Sequence, residues 1–288
     1  MSHAPDPARV AGIGYILLSA ACFAVMPVFG MRLYAEGLRP TDLLSLRFGF
    51  AALLLWALVF RHRLALPRGR ALWVLIAMGG IGYTGQALCY FSALRLAPAA
   101  VVALLLYLYP AFVTILAWMV LKEHIGRRKL IALVLALTGC ALTVGYASGA
   151  QPLGLVIAAS AALIYAVYII AGRVVPRSVP ALAQAAIVCS AAAVTTTLLT
   201  LPEGPRTPET LIGWGAALAL AFVGTVVAVS AFLAGLARLG ASSAATLSTV
   251  EPVLTALAGA ALLSQPLGWG TVFGGALILA AALLIARE

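Results

Sequence analysis

Residues 107–123 read YLYPAFVTILAWMVLKE, and residues 249–265 read TVEPVLTALAGAALLSQ. Each is an apolar run with a proline near its start and a glutamate or glutamine at its end. Pro110 and Pro252 lie 142 residues apart, as do Glu123 and Gln265, and Gly30 and Gly172. Ser19 and Ser160 lie 141 apart. Arg95-Leu96-Ala97 and Arg238-Leu239-Gly240 lie 143 apart, each triplet just ahead of a run of small residues. A nearly constant offset along the chain predicts two copies of one unit.

Outward from these stretches, apolar segments recur from Val10 to Ala286, each near the ~20 residues that cross a bilayer as helix. Breaks fall where proline, glycine and charge cluster. They predict spans at 10–31, 42–60, 71–93, 98–121, 129–147, 153–172, 180–201, 210–236, 242–263 and 268–286. Backbone groups in hydrocarbon must be satisfied internally, so the spans are helices, and the alternation of a membrane barrel is absent. The expected fold is all-α and polytopic: ten transmembrane helices as two five-helix repeats, residues 10–147 and 153–287. Because five is odd, the second repeat enters the membrane from the opposite side. Such inverted repeats place a small-molecule site near the midplane between them.

Composition points the same way. Hydrophobic residues make up 64% of the 288 and charged residues 9%, against about 25% charged in a soluble domain. A soluble enzyme, a nucleic-acid-binding domain and a disordered tail are excluded, and the net charge of +10 is assigned to basic loops. With the N-terminus inside, 13 of the 18 Lys and Arg fall on the inner side. Arg32, Arg39, Arg95 and Arg206 fall outside, and Arg47 lies within the second span. This asymmetry predicts a multi-pass protein of a bacterial inner membrane with both termini cytoplasmic. The polar stretch 1–9 leads into a run too long for a signal-peptide core, so a retained first helix is expected. Cys22, Cys89, Cys140 and Cys189 sit in different spans without paired spacing or a neighbouring His, and no disulfide, metal or cofactor is expected.

Several local motifs add to this frame: Leu46-Arg47-Phe48, Tyr90-Phe91-Ser92-Ala93-Leu94, Tyr109-Pro110-Ala111-Phe112, Lys122-Glu123 and Glu251-Pro252-Val253. With ten spans as five plus five, the chain resembles the drug/metabolite transporter superfamily, EamA type, over nearly its whole length. Within it the likeness is greatest to bacterial amino-acid exporters, including those for aromatic amino acids. The resemblance implies secondary transport of small metabolites, with amino acids as substrate and the lipid bilayer as surroundings. Other metabolites or drugs are the alternative cargo.

Ionisable groups inside spans are costly and are functional candidates by default. Glu251 lies near mid-depth of span nine, with Ser248 and Thr255 on the same helical stripe, and its repeat counterpart is Tyr109. The functional alternative for Glu251 is an ammonium partner or a carried proton; the structural one is a hydrogen-bond acceptor between helices. Pro110 and Pro252 are expected to kink spans four and nine and to free a carbonyl one turn upstream. Tyr83, Gln86 and Tyr90 on span three, Tyr165 on span six and Ser19 on span one lie at similar depth. Aromatic rings with polar handles suit a cavity for an amphipathic small molecule. Tyr15, Tyr34 and Tyr146 suit the membrane interface. Arg47 is expected to snorkel outward or to pair with Asp42 or Glu36. Glu123, His124 and Arg127 to Lys129 enforce topology. Gly270 and Gly274 form a small-residue face that packs within the monomer or in a homodimer.

An intramembrane enzyme would need a nucleophile and base within the spans. No Asp lies in a span core and His3, His62 and His124 lie outside the spans, so an enzyme is not expected. An ATP-driven pump would need a P-loop and a soluble domain, and the longest loops are too short for either this or a sensor.

Overall fold

Proline and glycine set the ends of the helices. Pro40 and Pro152 are the first residues of their helices, where a missing N–H leaves no bond unmade. Gly37, Gly69, Gly149 and Gly204 take positive φ in the connections. The structure is a computed structural model that describes residues 7–121, 126–145, 149–172, 174–176, 178–239, 244, 247–248 and 250–286. Expectations resting on Lys122, Glu123, His124, Tyr146, Arg173, Arg177, Gly240 and Arg287 lie outside the described residues.

The first span comprises α1 (Pro7–Ala24) and α2 (Met26–Ala35), and the second is α3 (Pro40–Arg61). The third runs through α4 (Arg70–Ala77), a π-helical turn (Met78–Tyr83) and α5 (Thr84–Ala93). The fourth is α6 (Ala99–Leu106) and α7 (Tyr109–Leu121), and the fifth is α8 (Arg127–Gly145). Spans six and seven are α9 (Pro152–Gly172) and α10 (Ala181–Thr200). The eighth comprises α11 (Leu211–Ala221), a second π-helical turn (Phe222–Val227) and α12 (Ala228–Leu239). The ninth holds α13 (Glu251–Leu263) and the tenth is α14 (Trp269–Ala286). Seven of these stretches are long and apolar enough to cross a membrane, and Leu130–Thr143, Glu251–Leu263 and Trp269–Ala281 are shorter apolar helices. They occupy the ten predicted positions, and no strand occurs among the described residues. The fold is that of an all-α polytopic membrane protein.

Both prolines expected to bend their spans stand in the first turn of a helix. Span four is interrupted at Tyr107 and Leu108, and Pro110 is the second residue of a new helix. Pro252 likewise lies in the first turn of α13. At a helix start the proline removes no bond from the helix it opens, and what it leaves unpaired is a carbonyl upstream of that helix. The π-helical turns in spans three and eight carry no sequence signal, since a one-residue insertion leaves the apolar composition unchanged.

Helix pairing follows a two-fold rule. Span five packs along ten, two along seven, one along eight, three along six and four along nine. Exchanging the halves converts the pair one–eight into six–three and leaves the other three pairs unchanged. Small residues permit the close approaches that hold membrane helices together. A Cβ at Gly139 would lie 2.6 Å from the Gly274 carbonyl oxygen, and Gly274 faces Gly139 and Thr143 in return. The Gly274 face therefore packs against span five within the chain. Outward-facing Leu53, Ile81 and Val156 are 70%, 77% and 64% exposed, as suits a surface whose solvent is lipid rather than water.

One end of the bundle is tied by polar bonds between the connection 36–39 and the connection 201–210. Arg39 pairs with Asp42 through Nε at 2.7 Å and also with Glu203. The Arg206 N–H donates to Asp42 Oδ1 at 3.0 Å, and its guanidinium donates to the Gly37 carbonyl at 3.1 Å. The Thr210 hydroxyl caps α11 by accepting from the Gly213 N–H at 3.0 Å and donates to the Glu36 carboxylate. That hydroxyl is the main cause holding the Glu36 carboxyl below its ordinary value of 4.5, aided by the N–H groups of Thr210 and Glu209 and by Arg32, and opposed by burial. A depressed carboxylate adds stability above its unfolded value and loses it as pH falls through the folded value. Acidification below about pH 4.5 should therefore loosen this end. In a variant retaining Trp214 as sole tryptophan, fluorescence should change over that range, and Glu36→Gln should weaken the transition.

Candidate functional site

Glu251 and Pro252 build one wall. Pro252 has no N–H, so the carbonyl of Ser248, four residues upstream, loses its helical partner. The Tyr107 hydroxyl, arriving from the interruption in span four, shares its one hydrogen between that Ser248 oxygen at 2.7 Å and Glu251 Oε2 at 3.1 Å. The Thr255 hydroxyl donates to the Glu251 carbonyl at 3.0 Å, and Ser248 Oγ to that of Ala244 at 2.9 Å. Glu251 is half-buried. Its carboxylate thus has an uncharged protein partner, supplied by the opposite repeat.

Glu251 opens onto a cavity of about 380 Å³ between the repeats, within the range of small-molecule sites. Ser19, Tyr83, Gln86, Tyr90, Tyr109, Tyr165, Ser248 and Glu251 all line it. The tyrosines form a connected belt: Tyr107, Tyr109 and Tyr165 meet edge to face at 6.0 and 4.8 Å, and Tyr165 stacks on Tyr168 at 6.0 Å. Ser19 lines the cavity with its hydrogen already given to the Ala228 carbonyl at 2.8 Å, which ties span one to span eight. Among the described residues, the Gln86 amide and the hydroxyls of Tyr90, Tyr109 and Tyr165 have no protein partner. They are dipoles available to whatever the cavity holds.

Arg47 departs from expectation. It neither snorkels nor pairs with Asp42 or Glu36, which are engaged by Arg39 and Thr210. It is 3% exposed and lines the cavity. Its Nε donates to Thr225 Oγ1 at 3.0 Å and its Nη2 to the Tyr83 hydroxyl at 3.2 Å. Tyr83 ends the first π-helical turn and Thr225 lies within the second, so each repeat supplies one hydroxyl. Tyr107, Tyr168 and Thr225 also line the cavity and were not legible as candidates. Tyr107 lies at a helix interruption, and Thr225 is one hydroxyl among many in apolar spans. Of the tyrosines expected at the interface, Tyr15 is 38% exposed, whereas the Tyr34 hydroxyl is tied to the Phe91 carbonyl at 2.7 Å.

A lipid-facing exterior, two helical halves related by a two-fold exchange, and one polar-studded cavity between them define a membrane transporter. The EamA-like transporter family matches the chain twice, over residues 10–145 and 152–287. The chain belongs to that family. Among its relatives, the uncharacterized transporter YcbK of Bacillus subtilis (strain 168) is 27% identical over 277 residues, 92% of this chain and 89% of that protein. The uncharacterized transporter YwfM of the same organism is 30% identical over 178 residues, 61% of this chain and 60% of that protein. A solved crystal structure 23% identical, covering 96% of this chain and 95% of its own, shares the fold with a TM-score of 0.63.

Proposed function

We propose that this transporter exports neutral and aromatic amino acids, with broad selectivity, by alternating access of its inverted repeats around the central cavity. The observation that carries this reading is the cavity itself: a belt of tyrosine rings with Glu251 on one wall. The rings take up an apolar or aromatic side chain, and the carboxylate receives an ammonium. Few fixed charges line the wall, which disfavours nucleotides and polyamines. The Lys and Arg asymmetry of the loops supports a bacterial inner membrane, with both termini in the cytoplasm. On that orientation the tied end of the bundle faces outward.

Purified protein in liposomes should carry labelled Phe, and unlabelled Met and Thr should compete. Comparing rates with and without a pH gradient distinguishes proton-coupled from facilitated export. Competition by a nucleotide-sugar while Phe, Met and Thr are inert would overturn the assignment.

A further inference from the structure

An ammonium partner and aromatic rings do not account for the guanidinium that also lines the cavity. Arg47 is held by two hydroxyls and lies 5.2, 5.5 and 6.0 Å from the ring centroids of Phe48, Phe91 and Tyr83. All of these partners are neutral. Among the described residues the ion pairs are those of Arg39 with Asp42 and with Glu203, and none involves Arg47. A buried cation without a counter-ion carries an uncompensated desolvation cost. A guanidinium has five N–H donors in a planar fork that matches a carboxylate. The hydroxyls of Thr225 and Tyr83 engage only two of them.

The repeat relationship sharpens this. Adding the 142-residue offset to Arg47 leads to Cys189, and subtracting it from Glu251 leads to Tyr109. All four line the cavity. Each repeat contributes one charge, the two are opposite in sign, and the counterpart of each in the other repeat is neutral.

We propose that Arg47, positioned by Thr225 and Tyr83, is a carboxylate-binding subsite of the cavity. The cargo's carboxylate seats on the guanidinium fork and its ammonium is turned toward the Glu251 wall. The assignment rests on the amino-acid cargo proposed above and adds the group by which such a cargo is oriented.

The test is a ligand series against full-length protein in nanodiscs. Binding is measured for phenylalanine, for phenylalaninamide, which lacks the carboxylate, and for 3-phenylpropionate, which lacks the ammonium. Wild-type protein should bind phenylalanine at least about tenfold more tightly than the amide, which is ~1.4 kcal/mol. Arg47→Gln should bring the two within about twofold through loss of phenylalanine affinity, with the helical circular dichroism of the variant reporting that it is folded. Arg47→Lys keeps the charge without the fork and should fall between them, so the series decides even where the Gln variant does not fold. Full discrimination in either variant overturns the proposal. Equal wild-type binding of phenylalanine and its amide overturns the subsite and leaves the cargo reading intact. Binding of 3-phenylpropionate without phenylalanine does the reverse.

Discussion

Glu251→Gln should fold normally and transport neutral amino acids at least about tenfold more slowly, with the pH dependence of the rate removed. The amide has nearly the shape of the carboxylate and still accepts from Tyr107, so the Ser248–Tyr107–Glu251 contact between the repeats survives. What it loses is charge. Losing an ammonium partner in a partly desolvated site costs about 1.4 kcal/mol per tenfold, and charge pairs of this kind exceed that readily. The Tyr107 hydroxyl reaches the carboxylate, and Tyr90, Tyr109 and Tyr165 line the same cavity, none of them cationic. With the carboxylate as the ammonium's partner, the wild-type rate should fall on acidification and the variant's should not. Initial rates in liposomes between pH 5 and 8, for Phe and Thr, check this. An unchanged rate and pH profile would leave Glu251 a hydrogen-bonding post between helices.

A reversible cross-link between positions 36 and 210 should abolish transport. The Glu36–Thr210 bond joins the connection after span one to the start of span eight, so it ties one repeat to the other at one mouth. If the repeats rock, with spans three, four, eight and nine moving most, these positions must separate once per cycle. Glu36→Cys with Thr210→Cys, bridged by a short bis-methanethiosulfonate, should show no transport and recover on reduction. Each single variant treated alike should retain transport. Full activity of the bridged protein would rule the motion out at this mouth.

The spans were legible because membrane-length apolar runs admit few other readings, and the repeat because prolines and basic loop residues keep their offset. The eight cavity-lining candidates were legible in position for one reason: a polar group at mid-depth of an apolar helix has few places to go except inward. Their roles are a separate matter and rest on transport assays. Arg47 was misread because Asp42 lies five residues away on the same helix, close enough in sequence to invite a pair. Arg39 takes Asp42 instead, being three residues distant and one helical turn away. The bond from Tyr107 to Ser248 joins positions 141 residues apart. Nothing local predicts it, although the proline that frees the Ser248 carbonyl is plain to see.

The π-helical turns bear on how the halves can move. Such a turn holds one residue more than the α-helical turn it replaces, so it is slack stored in the helix. Drawing that slack out would advance everything beyond it by one position, a rotation of about 100° and a rise of ~1.5 Å. Arg47 grips the slack of both repeats, Tyr83 on one and Thr225 on the other. Drawing out either turn would carry Tyr83 or Thr225 past the one guanidinium that both now hold, so a single side chain links the stored slack of the two repeats.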